Sequence, residues 1–373
     1  MQFITSPKNA LGLDISDLSI KIVEIKKKRG KKYIHSMVAT SLPRGLIEGG
    51  LIKDPRKIAL VIKKLMRKVA NKFTTKYAVV SLPETKTFIK VIEVPAKDKN
   101  KTTMDLIKQE LPRHVPMNLE DMQIDWQKIR EGQGMKKVLV GAVDKQIVQD
   151  YINLCCLAGL EVVALEIEAQ AIARSIILNG RRQKKMDRGW NKIFKRDLKE
   201  EKVGYNKTTK NPKMILDLGA TRTSVILFDE GVVQFTNSLG NISGEQITNT
   251  IIDRKRLSYL EAEKAKLICG TNSKKCKGIV RDVMKETIDN IAREIINGDE
   301  FYKTHFGKES ANLEVWLCGG GANMLGLTEA LEGKLHRKVK VADPLINIEE
   351  TLAEQHKNLS AYATAIGLAL RNF

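Results

Sequence analysis

The sequence contains no uninterrupted apolar stretch long enough to cross a membrane. Its best candidate, Leu154 to Ala173, is broken by Glu161, Glu166 and Glu168, whereas a spanning helix needs about 20 mostly apolar residues. The start, Met1-Gln2-Phe3-Ile4-Thr5-Ser6-Pro7-Lys8, lacks the apolar core of a signal peptide. A cytoplasmic location is therefore expected. Cysteine is scarce: five residues, none at zinc-ligand or redox-motif spacing. An odd number argues against a disulfide framework, so plain thiols are expected. Aromatic residues make up only 5% of the chain, and its basic residues are scattered. A net charge of +20 thus does not favour nucleic acid as the partner. An anionic membrane surface would attract such a chain equally well.

What the sequence does have is one motif twice. Leu216-Asp217-Leu218-Gly219-Ala220-Thr221-Arg222-Thr223-Ser224-Val225-Ile226-Leu227 has the layout of Leu13-Asp14-Ile15-Ser16-Asp17-Leu18-Ser19-Ile20-Lys21-Ile22-Val23. In each, an apolar strand ends in Asp, a small residue follows two positions later, and a second strand restarts. This predicts a tight β-hairpin with an Asp at its mouth. Small residues there let backbone N–H groups approach a phosphate. The Asp suits Mg²⁺, held through the ion's water shell. One such hairpin is an ordinary turn, but two, each opening half of the chain, could grip a nucleotide's phosphates from both sides.

In chain order, residues 11–42 read as a three-stranded meander, with a helix from Asp54-Pro55 and a strand at Tyr77–Leu82. Residues 83–157 read as a small α/β insert of two strand–helix pairs, the last helix being Lys145–Ala158. Val162–Glu168 returns to the core, followed by a small-residue helix, Ala169–Leu178. The expected organisation is a first domain of residues 1–82 and 158–213, the insert at 83–157, and a second domain at 214–373. Both domains are predicted to be ribonuclease H-like α/β units facing each other across a cleft.

Other chemical signals are weaker alone. Gly319, Gly320 and Gly321, with Asn323, follow an apolar strand and precede a helix. A flat ligand could lie against that backbone, although a plain Gly-rich turn reads the same way. Glu263 and Lys266 share one helix side and could reach a ribose hydroxyl and an adenine edge, or form a solvated face. Glu168 could orient water toward a phosphate, or simply begin a helix.

Taken together, these residues resemble the phosphate and adenosine motifs of the actin-like ATPase superfamily. Within it, the chain resembles the PilM family of type IV pilus assembly. The likeness is carried by Gly12-Leu13-Asp14-Ile15, Leu111-Pro112-Arg113-His114-Val115-Pro116, Leu165–Arg174, Leu317–Leu327 and Tyr362–Arg371. It implies ATP held by Asp14, Ser16, Asp17, Ser19 and Lys21 on one hairpin and Asp217, Gly219, Thr221 and Thr223 on the other. Glu263, Lys266, Gly319, Gly320, Gly321 and Asn323 would bind the nucleoside, and Mg²⁺ would sit between Asp14 and Asp217. Ser16 departs from the glycine usual in the family and narrows the space for a phosphate, so slow or absent hydrolysis is expected, with Glu168 orienting water if it occurs.

The resemblance also implies a PilN-like partner, whose N-terminal cytoplasmic tail docks beside the insert, and contact with other inner-membrane pilus components. Self-association stays open. An FtsA-like division protein or a small-molecule kinase has the same fold. The first is disfavoured because the sequence stops at Arg371-Asn372-Phe373 without a linker and membrane helix. The second is disfavoured because no substrate-side catalytic Asp stands out.

Residues 179–213 lie outside these motifs. They carry thirteen Lys/Arg against four Asp/Glu. Met186, Trp190, Ile193, Phe194 and Leu198 would share one face of a helix over 184–199, the composition of a segment lying on anionic lipid. A solvated loop, or a helix folded back on its own domain, accounts for it as well.

Overall fold

A computed structural model of the protein describes residues 9–69, 72–98, 100–114, 118–177, 211–272, 274–307, 313–349 and 358–371. The amphipathic stretch 184–199 lies outside the described residues. The first half opens with β1 (Leu11–Ser16), β2 (Ser19–Lys28) and β3 (Lys31–Ser41), then a two-residue pair, β4 (Ile47–Glu48) and β5 (Leu51–Ile52). Helix α1 (Pro55–Arg67) starts where the sequence says it should. Asp54 accepts from the Lys57 N–H at 3.0 Å, and Pro55 takes the first turn, where its missing N–H costs nothing. Ile58, Ala59, Ile62 and Leu65 form its buried face. Strand β6 (Tyr77–Leu82) completes this part.

The insert contains β7 (Thr87–Pro95), α2 (Thr103–Glu110), β8 (Met122–Gly132) and β9 (Met135–Asp144). A two-residue turn joins β8 to β9, with Gln133 at φ 52° and Gly134 at φ 75°. These left-handed values match the twist of the paired strands. The chain then runs through α3 (Lys145–Leu157), β10 (Glu161–Ile167) and α4 (Glu168–Ile176). Sequence reading placed α3 in the insert, but the structure puts it elsewhere. Its Ile147, Tyr151, Leu154 and Cys155 pack with α1 and the odd-numbered residues of β1 in the first half's core. Amphipathic spacing specifies that a helix buries one face, not against what. The insert is accordingly three strands and one helix.

The second half is β11 (Lys213–Leu218), β12 (Thr223–Asp229), β13 (Val232–Leu239), α5 (Gly244–Lys255), α6 (Tyr259–Cys269), α7 (Ile279–Phe306), β14 (Glu314–Cys318), α8 (Leu327–Leu335), β15 (Val339–Val341) and α9 (Ala363–Ala369). The two halves repeat one topology. The first sheet runs β10-β6-β1-β2-β3, and the second contains β15-β14-β11-β12-β13. In each, an antiparallel meander is extended from its first strand by two parallel strands. These are the two ribonuclease H-like units expected. The second sheet continues from β13 into β7, β9 and β8, so the insert and the second half share eight strands.

Helices α4 and α9 lie between the halves. Alternation along β11 sends Met214, Leu216 and Leu218 to the core under α5–α8 and Ile215 to the α4 side, against Ile172 and Ile176. The expectation of five separate thiols is corrected. Cys269, ending α6, is disulfide-bonded to Cys276, their Cα atoms 5.7 Å apart. A turn in which Cys276 and Lys277 both take positive φ brings the second sulfur back, a reversal that spacing does not reveal.

Candidate functional site

The β1–β2 hairpin positions the first group. Asp14 and Lys21 are cross-strand partners, and Lys21 Nζ lies 3.0 Å from Asp14 Oδ2. Lys21 also donates to Ser19 Oγ at 3.0 Å, while Ser81 Oγ donates to the other Asp14 oxygen at 3.3 Å. Burial works against the Lys21 charge, but Asp14, with Asp217 and Glu168, outweighs it and raises its pKa. Ser16 and Ser19 close the turn through their hydroxyls, 2.9 Å apart.

The β11–β12 hairpin supplies the second. Gly219 N–H donates to Arg222 O at 2.9 Å, and a Cβ at Gly219 would lie 2.7 Å from that oxygen. Asp217 is half-buried; its partial removal from water, with Asp14 nearby, raises its pKa against the pull of Arg222. The hairpin tips touch: Thr221 Oγ1 donates to Asp17 Oδ2 at 3.3 Å. Asp17 also accepts from Gly49 and Gly50 N–H at 3.2 and 2.9 Å, so its carboxylate organises the turn between β4 and β5.

A cavity of about 780 Å³ lies beside these tips. Leu18 from the first hairpin and Gly219, Ala220 and Thr223 from the second contribute to its wall. Among the predicted nucleoside contacts, Glu263, Lys266, Gly320, Gly321 and Asn323 line it too. Lys266 Nζ is fixed by Glu263 at 2.6 Å, by Thr248 Oγ1 at 2.7 Å and by Gly244 O at 2.9 Å. Gly321 N–H donates to Leu218 O at 2.9 Å. Gly319 is not on the wall; its backbone packs so closely on β11 that a Cβ would lie 2.8 Å from Leu218 N.

Polar groups that sequence reading did not assign complete the cluster. Arg222 Nη2 donates to both oxygens of Glu168, at 2.7 and 2.9 Å, an ion pair joining α4 to the second hairpin. Burial, together with Asp14 and Glu84, pushes the Glu168 carboxyl up to about 7 despite Arg222. Glu168, first of all, and Glu84 hold the Arg222 charge in place. Glu84 is buried, and neither of its oxygens has a hydrogen-bond partner among the described residues. Burial raises its pKa. The available signal for Glu84 was a carboxylate just past the apolar strand Tyr77–Leu82. For Arg222 it was a lone cation inside the motif itself.

The match to a nucleotide can be tested on these atoms. Thr223 is fully buried, and its Oγ1 has no partner among the described residues, although the residue lines the cavity. An uncompensated hydroxyl of this kind is costly unless a ligand meets it. No group of three metal-ligating side chains occurs among the described residues. Asp14 and Asp217 are two oxygen donors, a set that would hold Mg²⁺ through its water shell.

The sequence matches the model of the type IV pilus assembly protein PilM family over residues 12–193 and 201–373. The chain belongs to that family. Solved structures similar to this PilM-family chain include a PilM-PilN type IV pilus biogenesis complex, at 22% identity and TM-score 0.76. That alignment covers 98% of this chain and 99% of the other. The ethanolamine utilization protein EutJ from Carboxydothermus hydrogenoformans aligns at 14% identity and TM-score 0.54, covering 99% and 91%. MreB 5 of Spiroplasma citri bound to AMPPNP aligns at 11% identity and TM-score 0.51, covering 97% and 95%. The fold is the actin-like ATPase fold. In this PilM-family chain no helix among the described residues is long and apolar enough to cross a membrane.

Proposed function

We propose that this chain is an ATP-binding scaffold of type IV pilus assembly, or of a related secretion or DNA-uptake machine, working at the cytoplasmic face of the inner membrane. One observation carries the nucleotide part. Two copies of one hairpin meet tip to tip, through Thr221 and Asp17, beside a cavity that residues of both help to line. The adenosine would lie among Glu263, Lys266, Gly320, Gly321 and Asn323, with the phosphates at Gly219 and Thr223 and hydrated Mg²⁺ near Asp14 and Asp217. Turnover is slow or absent, because Ser16 narrows the space for a phosphate at the first hairpin; Glu168 is the group for orienting water if it occurs.

The partner is the N-terminal cytoplasmic tail of a PilN-like membrane protein, docked as an extended peptide beside the insert. Family membership and the likeness to a PilM-PilN complex support this. The test is capture of such a tail by the full chain, with and without Mg-ATP. Binding to the tail that strengthens with Mg-ATP supports the reading, and no binding in either condition rejects the partner. In the same protein, Asp14→Ala and Asp217→Ala should each weaken Mg-ATP binding roughly tenfold by calorimetry, the scale of a lost charge-assisted contact. Unchanged affinity in both would remove the site assignment.

The segment 184–199 is proposed to rest on anionic lipid. Anionic liposomes should sediment the intact chain at low salt and lose it when this segment is deleted. Equal sedimentation of the deleted form returns it to a solvated loop.

A further inference from the structure

The cluster behind the hairpins holds two cations of different availability. Lys21 is committed on its own hairpin, to Asp14 and Ser19. Arg222 is committed through Nη2 alone. Its Nε and Nη1 make no hydrogen bond among the described residues, so its planar fork still has open donors. The side chain keeps 11% of its surface exposed, and it stems from the turn between Gly219 and Thr223, both of which line the cavity.

We infer that Arg222 is the residue by which this chain distinguishes a nucleoside triphosphate from a diphosphate, its guanidinium passing from Glu168 to the terminal phosphate. The inference rests on the reading of the cavity as a nucleotide site. Three points support the exchange.

A terminal phosphate carries more negative charge than a carboxylate. It offers three acceptor oxygens to a fork built for two parallel hydrogen bonds. Glu168 is a weak competitor, because its own burial, with Asp14 and Glu84 in electrostatic reach, opposes its ionisation. The two partners also stand on opposite halves, Glu168 beginning α4 and Arg222 on the β11–β12 turn. Other ties between the halves among the described residues include Thr221 to Asp17, an ion pair between Arg44 and Glu245, Lys32 N–H to Glu349 and Arg371 with Glu166. Moving Arg222 to the phosphate therefore releases one tie and leaves these in place, so the exchange needs no separation of the halves. A diphosphate would leave Arg222 on Glu168.

The test is calorimetric titration of the full chain with Mg²⁺ and either a non-hydrolysable triphosphate analogue or ADP. It is run on wild type, Arg222→Ala, Arg222→Lys and Glu168→Gln. Wild type should prefer the triphosphate. Arg222→Ala should lose roughly tenfold to a hundredfold of triphosphate affinity and keep its ADP affinity. Arg222→Lys, which retains charge without the fork, should lose part of the preference. Glu168→Gln, which frees the guanidinium, should bind the triphosphate more tightly than wild type. Urea midpoints serve as the second readout. Both Arg222→Ala and Glu168→Gln break the same ion pair and should lower the midpoint, yet they shift triphosphate affinity in opposite directions.

A purely structural ion pair would instead shift affinity the same way in both variants, or leave the triphosphate-to-diphosphate ratio of Arg222→Ala unchanged. Either result overturns the inference. If Arg222→Ala does not fold, the Arg222→Lys and Glu168→Gln arms decide by the same signs. If wild type binds neither nucleotide, the reading of the cavity fails first, and this inference with it.

Discussion

Gly367→Ala should destabilise the protein by about 3 kcal/mol or more, the upper range for forcing atoms into a packed interior. Residue 367 lies where α9 crosses α4. A Cβ there would fall inside the carbonyl of Ala171, with the Ala171 Cα only 2.9 Å away. Both sides of the collision are backbone, so no rotamer relieves it. The other side of α9 is equally tight, because a Cβ on Gly12 of β1 would collide with Ala365 O and lie 2.6 Å from Ala369 N. The helix cannot retreat from α4 without striking β1. Gly132→Ala is the control, since nothing lies within 4 Å of its added Cβ and its φ is not positive. A urea midpoint for Gly367→Ala equal to that of Gly132→Ala would show that the crossing tolerates a side chain.

Glu166→Leu should cost roughly 3–5 kcal/mol, because it strands the buried Arg371 guanidinium and the mostly covered Arg174. Glu166 meets Arg174 at 2.5 Å and Arg371 at 2.8 Å, with Glu166 and Arg371 almost wholly buried. Burial alone would raise the Glu166 pKa. The two arginines outweigh it and hold the group below the ordinary glutamate value of 4.5. A depressed pKa means that the folded state binds this proton less readily than the unfolded chain. The stability it contributes is therefore complete above pH 4.5 and lost as pH falls through the folded-state value. Glu166→Gln should show a shallower loss of stability below that pH than wild type, in midpoints measured by urea across an acid series. Parallel curves would mean that the triad is not the titrating element.

The parts of this fold that could be read from the sequence were those whose causes are local. Asp14 and Lys21 are seven residues apart and meet across one hairpin, in a register fixed by its two-residue turn. Asp54 and Pro55 mark the start of α1 by chemistry within one turn. Arg222 and Glu168 meet only because the α4 N-terminus and the β11–β12 turn are brought together by two separate sheets. Glu84 is likewise buried by elements contributed from the other half. The α3 helix shows the limit on packing: its apolar stripe was legible, its destination was not. Cys269 and Cys276 show the same limit for turns, since their bond depends on a left-handed backbone at Cys276 that a run of lysines does not signal.

The joining of β13 to β7 has a consequence for how this chain can be cut. β13 meets β7 at one residue pair, Phe235 with Lys90, and without residues 83–144 β13 would become the outer strand of the second sheet, with the backbone at Phe235 left unpaired; its ring lies 4.6 Å from that of Phe301. An uncapped outer strand is a template on which another chain can add its own. The insert therefore acts as a guard on the half it is joined to. A trimmed protein would stick to copies of itself, and a ligand that prised β7 from β13 would expose the same adhesive seam.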